Sequence, residues 1–156
     1  MIPRIYVTGA IAIENGDQLL RERQFPGRQG RIAFAFLAIN RHRSVHRDEL
    51  MGAIWQGDAP AQTDSALDAI LSKLRSLLKS AGFASADTGI TVSSGTIALA
   101  LPANAWIDVE AAGNALDEAE GAVRRSDHAA AWSLANVAVV ISRRPLLACG
   151  TLRRPR

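Results

Sequence analysis

The chain of 156 residues holds one cysteine, Cys149, which rules out a disulfide framework and a thiolate metal cluster. Such usage fits a reducing, cytosolic compartment. The N-terminus, MIPRIYVTGA, lacks the charged region, apolar run and cleavage site of a secretory signal. Long apolar runs are missing as well. The longest, Ala129 to Ile141, lies between Asp127 and Arg143 and is too short to span a bilayer, so no membrane partner is expected. Strong basicity is also absent, because the net charge is only +3. Lys and Arg outnumber Asp and Glu by 11 to 8 over residues 1–83 and equal them at 7 to 7 over residues 84–156, so the excess lies in the first half. That distribution is compatible with a nucleic-acid surface without requiring one.

Catalytic sets are wanting too. His42, His46 and His128 are scattered, and no carboxylate or cysteine has the spacing of a metal site. Ser76-Leu77-Leu78-Lys79 matches Ser-x-x-Lys formally, but it sits in an apolar stripe of a chain too short to supply that chemistry's partner motifs. The string GRQGR lacks the Lys-Ser/Thr of a phosphate-binding loop. These absences argue against an enzyme, and no cofactor or metal is implied.

What is present is a globular composition, 48% apolar, long enough for one domain or a small domain plus part of a second. Short β-prone runs at Ile5–Val7, Ile11–Ile13 and Gln18–Leu20 open the chain, with a turn at Asn15-Gly16-Asp17. Residues Ile32 to Ile39 are apolar almost all round and predict a buried helix, with Arg28 and Arg31 at its exposed start. After the basic connector Arg41-His42-Arg43, SVHRDELMGAIW predicts a short amphipathic helix through Leu50/Ile54 and Met51/Trp55. His46 stands at its cap position, three residues before Glu49. A turn-rich loop, Gln56 to Gln62, follows.

Residues 63–82 carry the strongest periodic signal. Leu67, Ile70, Leu71, Leu74, Leu77 and Leu78 form one apolar stripe, and the opposite face carries Ser65, Ala69, Ser72 and Ser76. Lys73 flanks that face on one side, Arg75 and Lys79 on the other. A helix buried on one side, small on the other and edged with cations can enter a major groove. Its hydroxyls then approach base edges while its cations reach phosphates. An ordinary surface helix has the same pattern, so periodicity alone leaves both readings open.

Beyond Gly82, ITVSSGTIALALP alternates as a β-hairpin turning at Ser93-Ser94-Gly95. Strands, three helices and a hairpin make the winged-helix order. Pro102 to Ala105 reads as a linker. Residues 106–123 predict an acidic helix capped by Asp108 and buried through Val109, Ala112, Leu116 and Ala119. An Ala-rich helix over 128–142 follows after Arg124-Arg125-Ser126-Asp127, giving an antiparallel helical hairpin of the tetratricopeptide-like kind.

With these segments in order, the chain from Ile5 to Leu147 resembles the Streptomyces antibiotic regulatory protein (SARP) family of transcriptional activators. The strings GRQGRIAFAFLAIN, SVHRDELMGAIWQGDAPAQTDSAL and ILSKLRSLL match its OmpR-type winged-helix domain. WIDVEAAGNALDEAEGAVRRSDHAAAWSLANVAVVISRRPLL looks like the beginning of its bacterial transcriptional activator domain. The expected fold is therefore α+β. A winged-helix DNA-binding domain would occupy residues 1–102, a helical hairpin 106–148 and a tail 149–156. The resemblance implies DNA binding in the cytoplasm, at the nucleoid, usually to direct promoter repeats, with recruitment of RNA polymerase. It places the recognition helix on 63–80 and the family's basic pair on Lys73 and Arg75. The polymerase-facing loop falls on Gln56, Gly57, Asp58 and Gln62, and the wing on the 89–101 hairpin.

The family's Gly-Tyr-Arg-like wing reads Gly95-Thr96-Ile97 here, without cation or aromatic ring. Asp68, on the flank of the recognition helix, puts a negative charge near phosphates. The activator-domain pattern is lost after Leu147. Expected DNA contacts are Ser65, Ser72, Lys73, Arg75, Ser76 and Lys79. His46 and Arg47 would meet a phosphate at the second helix's N-terminus. Arg28, Arg31, Arg41 and Arg43 are expected to be solvated, and Arg153, Arg154 and Arg156 to form a basic tail. A reading from another class takes the chain as an interaction module reading DNA weakly or not at all. It would act, or form a homodimer, through an exposed hairpin face including Trp132, Val139, Val140 and Ile141.

Overall fold

Strand alternation begins at the N-terminus, where Ile5, Val7, Ile11, Ile13 and Leu20 point inward and are buried. The computed structural model describes residues 1–85 and 87–147, so Cys149, the tail 149–156 and its arginines lie outside the described residues. Strand β1 (Arg4–Tyr6) pairs antiparallel with β2 (Ala12–Asn15), and β2 pairs with β3 (Gln18–Arg21) across a two-residue turn at Gly16-Asp17. These strands stand within two residues of their sequence-predicted bounds.

Helix α1 (Gly27–Ile39) buries Ala33, Phe34, Ala35, Leu37 and Ala38, as its nearly all-apolar sequence predicts. Helix α2 (Arg47–Trp55) buries Leu50, Ile54 and Trp55. Helix α3 (Thr63–Ser80) buries Leu67, Ile70, Leu71, Leu74 and Leu78, with Leu77 half-buried at the edge of the stripe. It ends in a Schellman arrangement. The Gly82 N–H donates to the Lys79 carbonyl and the Phe83 N–H to the Leu78 carbonyl, while Gly82 takes φ +88° and Phe83 is buried. A side chain at Gly82 would also meet Asn15, whose amide donates to the Ala81 carbonyl at 2.8 Å and ties the β2–β3 turn to the end of α3.

A second sheet has the order β4-β6-β5, from β4 (Val45–His46), β5 (Gly89–Ser93) and β6 (Thr96–Ala100). The β5–β6 turn is two residues long, Ser94 at φ 49° and Gly95 at φ 77°. Two successive left-handed residues match the twist of a tight hairpin. The Gly95 carbonyl accepts from the Arg47 N–H at 3.0 Å, which fastens the hairpin turn to the start of α2. Ile97 and Leu99 are buried, and both sheets and α1–α3 share one apolar core.

The stretch read as a linker leads into a strand that the sequence reading missed. Strand β7 (Trp106–Ile107) pairs parallel with β1 and completes a four-stranded sheet of order β3-β2-β1-β7. Helix α4 (Asp108–Arg124) and α5 (His128–Ser142) pack antiparallel against each other, and Asp127 caps α5 by accepting from the Ala130 N–H at 3.0 Å. The buried stripe of α4 keeps Ala119, with Val109 and Ala112 half-buried, but differs from the expected one at Leu116. Ala115, Ala119 and Ala122 are buried, whereas Leu116 is half exposed. The small side chains sit at the helix contact because they allow close approach, and Leu116 is left outside it.

Asp108 is likewise no local cap. It is 1% exposed, and its carboxylate accepts from the Val7 N–H (3.1 Å), the Thr8 N–H (2.9 Å), the Thr8 hydroxyl (2.6 Å) and the Val109 N–H (2.9 Å). Arg41 adds a bidentate pair to Glu110 of α4, at 2.8 and 2.7 Å. After α5, the Pro145 carbonyl accepts from Gly9 and the Leu147 N–H donates to Val7. Strand β7, Asp108, Arg41 and this returning segment bind the helical pair to the first half of the chain.

Candidate nucleic-acid interface

With one side of α3 fixed in the core, the other is left to solvent. Ser65, Ala69, Ser72 and Ser76 are exposed along it, with Lys73 and Lys79 exposed at its edges. The Ser76 hydroxyl donates back to the Ser72 carbonyl at 3.2 Å. Among the described residues no carboxylate pairs with Lys73 or Lys79.

Arg75 is exposed too, and its Nε donates to the Ile90 carbonyl at 3.1 Å, so the side chain braces β5 against α3. Lys73 and Arg75 thus differ in their surroundings, since one of them also supports the hairpin. The hairpin itself shows Thr91, Val92, Ser93, Ser94 and Gly95 to solvent and no cation.

The start of α2 departs further from expectation. Arg47 Nε donates to Asp64 at 2.8 Å, and its Nη2 donates to Asp68 at 2.7 Å and to the Asp64 carbonyl at 3.0 Å. Its hydrogen bonds to the two carboxylates, Asp64 first, raise the Arg47 pKa above its ordinary value. Its amide is already bonded to Gly95. Arg47 therefore offers a phosphate neither its charge nor its N–H. His46 is exposed, pairs through β4 with Thr96, and makes no side-chain cap.

Three of the four arginines expected to be solvated are paired as well. Arg31 meets Glu22 at 2.9 Å, and Arg41, only 11% exposed in its side chain, meets Glu110. Arg43 Nη1 donates to Glu49 at 3.0 Å, and that hydrogen bond holds the Glu49 carboxyl below its ordinary range. Arg28 stays exposed.

Gln56, Gly57, Asp58 and Gln62 lie on an exposed loop between α2 and α3. Gln56 ends α2 in the left-handed region at φ 46°, and the Asp58 N–H donates to the Trp55 carbonyl at 2.9 Å. On α5, Trp132 is 73%, Val139 42% and Val140 55% exposed, but Ile141 is only 8% exposed. Ile141 turns into the packed side of the helix and is no part of an exposed face.

The acidic partners Asp64 and Glu110 were not singled out by sequence. Asp64 and Asp68 stand four apart on one helical face, a spacing that offers a bidentate seat for a cation. Nothing local, however, names Arg47 as its occupant. Among the described residues no three His, Cys, Asp or Glu side chains come together to hold a metal, and no helix is long and apolar enough to cross a membrane. An apolar groove of about 370 Å³ lined by Ile32, Phe36, Ile39, Leu146 and Leu147 shares no residue with the exposed face of α3.

No family model matches the sequence, and a sequence search of curated proteins finds no match. By structure, the chain is similar to Mycobacterium tuberculosis EmbR, solved in complex with a low affinity phosphopeptide. The TM-score is 0.78 at 21% identity over 93% of this chain. The match spans 37% of that chain, so this protein corresponds to little more than a third of it. At this identity the likeness shows the fold: a mixed α+β, winged-helix-like architecture similar to that of EmbR.

Proposed function

We propose that the chain is a sequence-specific DNA-binding transcriptional regulator of the SARP kind, an activator that lays α3 in the major groove of promoter repeats. The observation that carries this reading is the solvent face of α3, small and hydroxyl-bearing along its centre and edged by Lys73 and Lys79, which pair with no carboxylate among the described residues. A groove about 12 Å wide admits such a helix, with Ser65, Ser72 and Ser76 toward base edges and the lysines on phosphates. His46, exposed beside the helix start, lies at the border of the same surface. The β5–β6 hairpin acts as the wing along the backbone, and Gln56, Gly57, Asp58 and Gln62 face RNA polymerase. Residues 1–102 form the DNA-binding unit and 106–148 a tetratricopeptide-like hairpin, in a protein acting at the nucleoid. The likeness in fold to EmbR supports this reading.

Selection of bound sequences from random duplex DNA, followed by titration across a salt series, tests it. Enrichment of a motif with a steep salt slope is expected. A steep slope without enrichment would reduce the activity to phosphate binding, and absence of duplex binding at low salt would defeat the proposal.

A second reading is favoured by the exposure of Trp132, Val139 and Val140 on α5, with Val123 and Leu116 exposed on α4. In it the helical hairpin is the working surface, as a homodimer contact or a docking face for another protein. Sedimentation across a concentration series separates the two. A dimer that Trp132→Lys dissociates supports the interaction reading, and a monomer at all concentrations removes its homodimer form.

A further inference from the structure

The start of α3 combines features that the recognition reading alone does not use. Arg47, the first residue of α2, stands at a helix N-terminus, where a backbone phosphate would be favoured. Instead its guanidinium makes three hydrogen bonds to Asp64 and Asp68, in the first two turns of α3. The guanidinium-bearing side chain is 21% exposed, whereas the carboxylates are 76% and 67% exposed. The cation is drawn in and the two anions face solvent.

One positive and two negative charges leave a net charge of −1 at the N-terminal third of α3. That third is the part of a recognition helix that approaches base edges in helix-turn-helix docking. Lys73 lies nine residues beyond Asp64 and five beyond Asp68, about 13.5 and 7.5 Å along the helix axis. The screening length at physiological salt is about 8 Å, so Lys73 offsets Asp68 in part but does not reach Asp64.

We propose that Asp64 and Asp68 are an affinity-setting restraint on the α3 interface: they withhold Arg47 from the DNA backbone and repel phosphates at the end of the helix meant to enter the groove. This rests on the DNA-binding reading of α3. It assigns Arg47 a positioning role between α2 and α3, and the two carboxylates lower the affinity of the surface for DNA. Asp64 also favours the helix dipole at the first turn, but Asp68, a turn further on, has little such part. Asparagine keeps the size and the oxygen acceptor of both residues while removing the charge.

The test measures binding to random-sequence duplex DNA across a salt series, with helicity and melting temperature recorded for every variant. Asp64→Asn with Asp68→Asn is expected to tighten binding about tenfold through relief of repulsion and by leaving the Arg47 charge without its two counter-charges. It should also steepen the log–log salt slope by about 0.9, one further phosphate neutralised. Adding Arg47→Gln to that double variant should return the slope to the wild-type value. Asp68→Asn alone, the milder change should the double variant unfold, is expected to tighten binding about threefold. Wild-type binding that the neutral variants leave unchanged overturns the restraint while the DNA reading stands. A steeper slope that survives Arg47→Gln overturns the part given to Arg47. Failure of wild type and neutral variants alike to bind duplex DNA overturns both.

Discussion

Replacing Asp108 by alanine removes the acceptor for three buried donors: the Val7 N–H, the Thr8 N–H and the Thr8 hydroxyl. Asp108 is 1%, Val7 0% and Thr8 7% exposed, so water cannot take its place without opening the β1–α4 contact. Each buried donor left without a partner costs about 1–3 kcal/mol. Part of that loss is relieved by a small shift of the 7–9 segment, so a total of about 3–5 kcal/mol is expected. For a chain of this size that corresponds to a fall in melting temperature of roughly 6–20 °C. Equilibrium denaturation measures the loss directly, and amide exchange at Val7 and Thr8 should accelerate more than exchange in α3. Asp108→Asn should cost less, about 2 kcal/mol, because one oxygen remains while the amide NH₂ faces donors. A loss below about 1 kcal/mol for Asp108→Ala would refute the view that this carboxylate fastens the helical pair to the sheet.

Gly95→Ala should cost about 1 kcal/mol, since φ 77° is left-handed and only the conformation, not space, opposes a side chain there; chemical denaturation measures it. The Arg43–Glu49 pair gives a signed pH effect. The Glu49 carboxyl is held below its ordinary value of 4.5 by the hydrogen bond from Arg43, so its contribution is present above that pH and is lost as pH falls through the depressed value. Glu49→Gln should flatten the acid limb of a stability–pH curve slightly, and high salt should shrink the difference, because both side chains are solvent-exposed. An unchanged acid limb would deny the pair any role.

Local signals were strong where one element declares itself. The leucine stripe of α3, the apolar run of α1 and the Ser94-Gly95 turn are periodic or stereochemically specific, and each stands where the sequence puts it. Strand β7 escaped because two residues cannot show a period, and its partner β1 lies about a hundred positions away. On α4, Ala119 is buried and Val109 and Ala112 half-buried as the sequence predicts, and Leu116 alone departs, for a related reason. In an Ala-rich helix the hydrophobic scale favours Leu116, but close helix packing selects Ala115, Ala119 and Ala122. Asp108 shows an ordinary capping pattern, and only the fold reveals that its donors come from residues 7 and 8. At the candidate interface the exposed face of α3 was legible. The pairings of Arg47 with Asp64 and Asp68, and of Arg75 with Ile90, were not, because they join elements whose juxtaposition no local window contains.

The central claim is that the solvent face of α3 meets DNA. Lys73 and Lys79 test it more cleanly than Arg75, whose loss would also release β5. The decisive measurement compares the dissociation constant of wild type and of Lys73→Glu with Lys79→Glu for the same duplex over a range of salt. Both side chains are exposed and unpaired among the described residues, so the fold should be unaffected. Binding is expected to weaken tenfold or more at low salt, and the log–log slope to flatten by about 1.8 for two lost phosphate contacts. Equal affinity and equal slope for the two proteins would contradict the account.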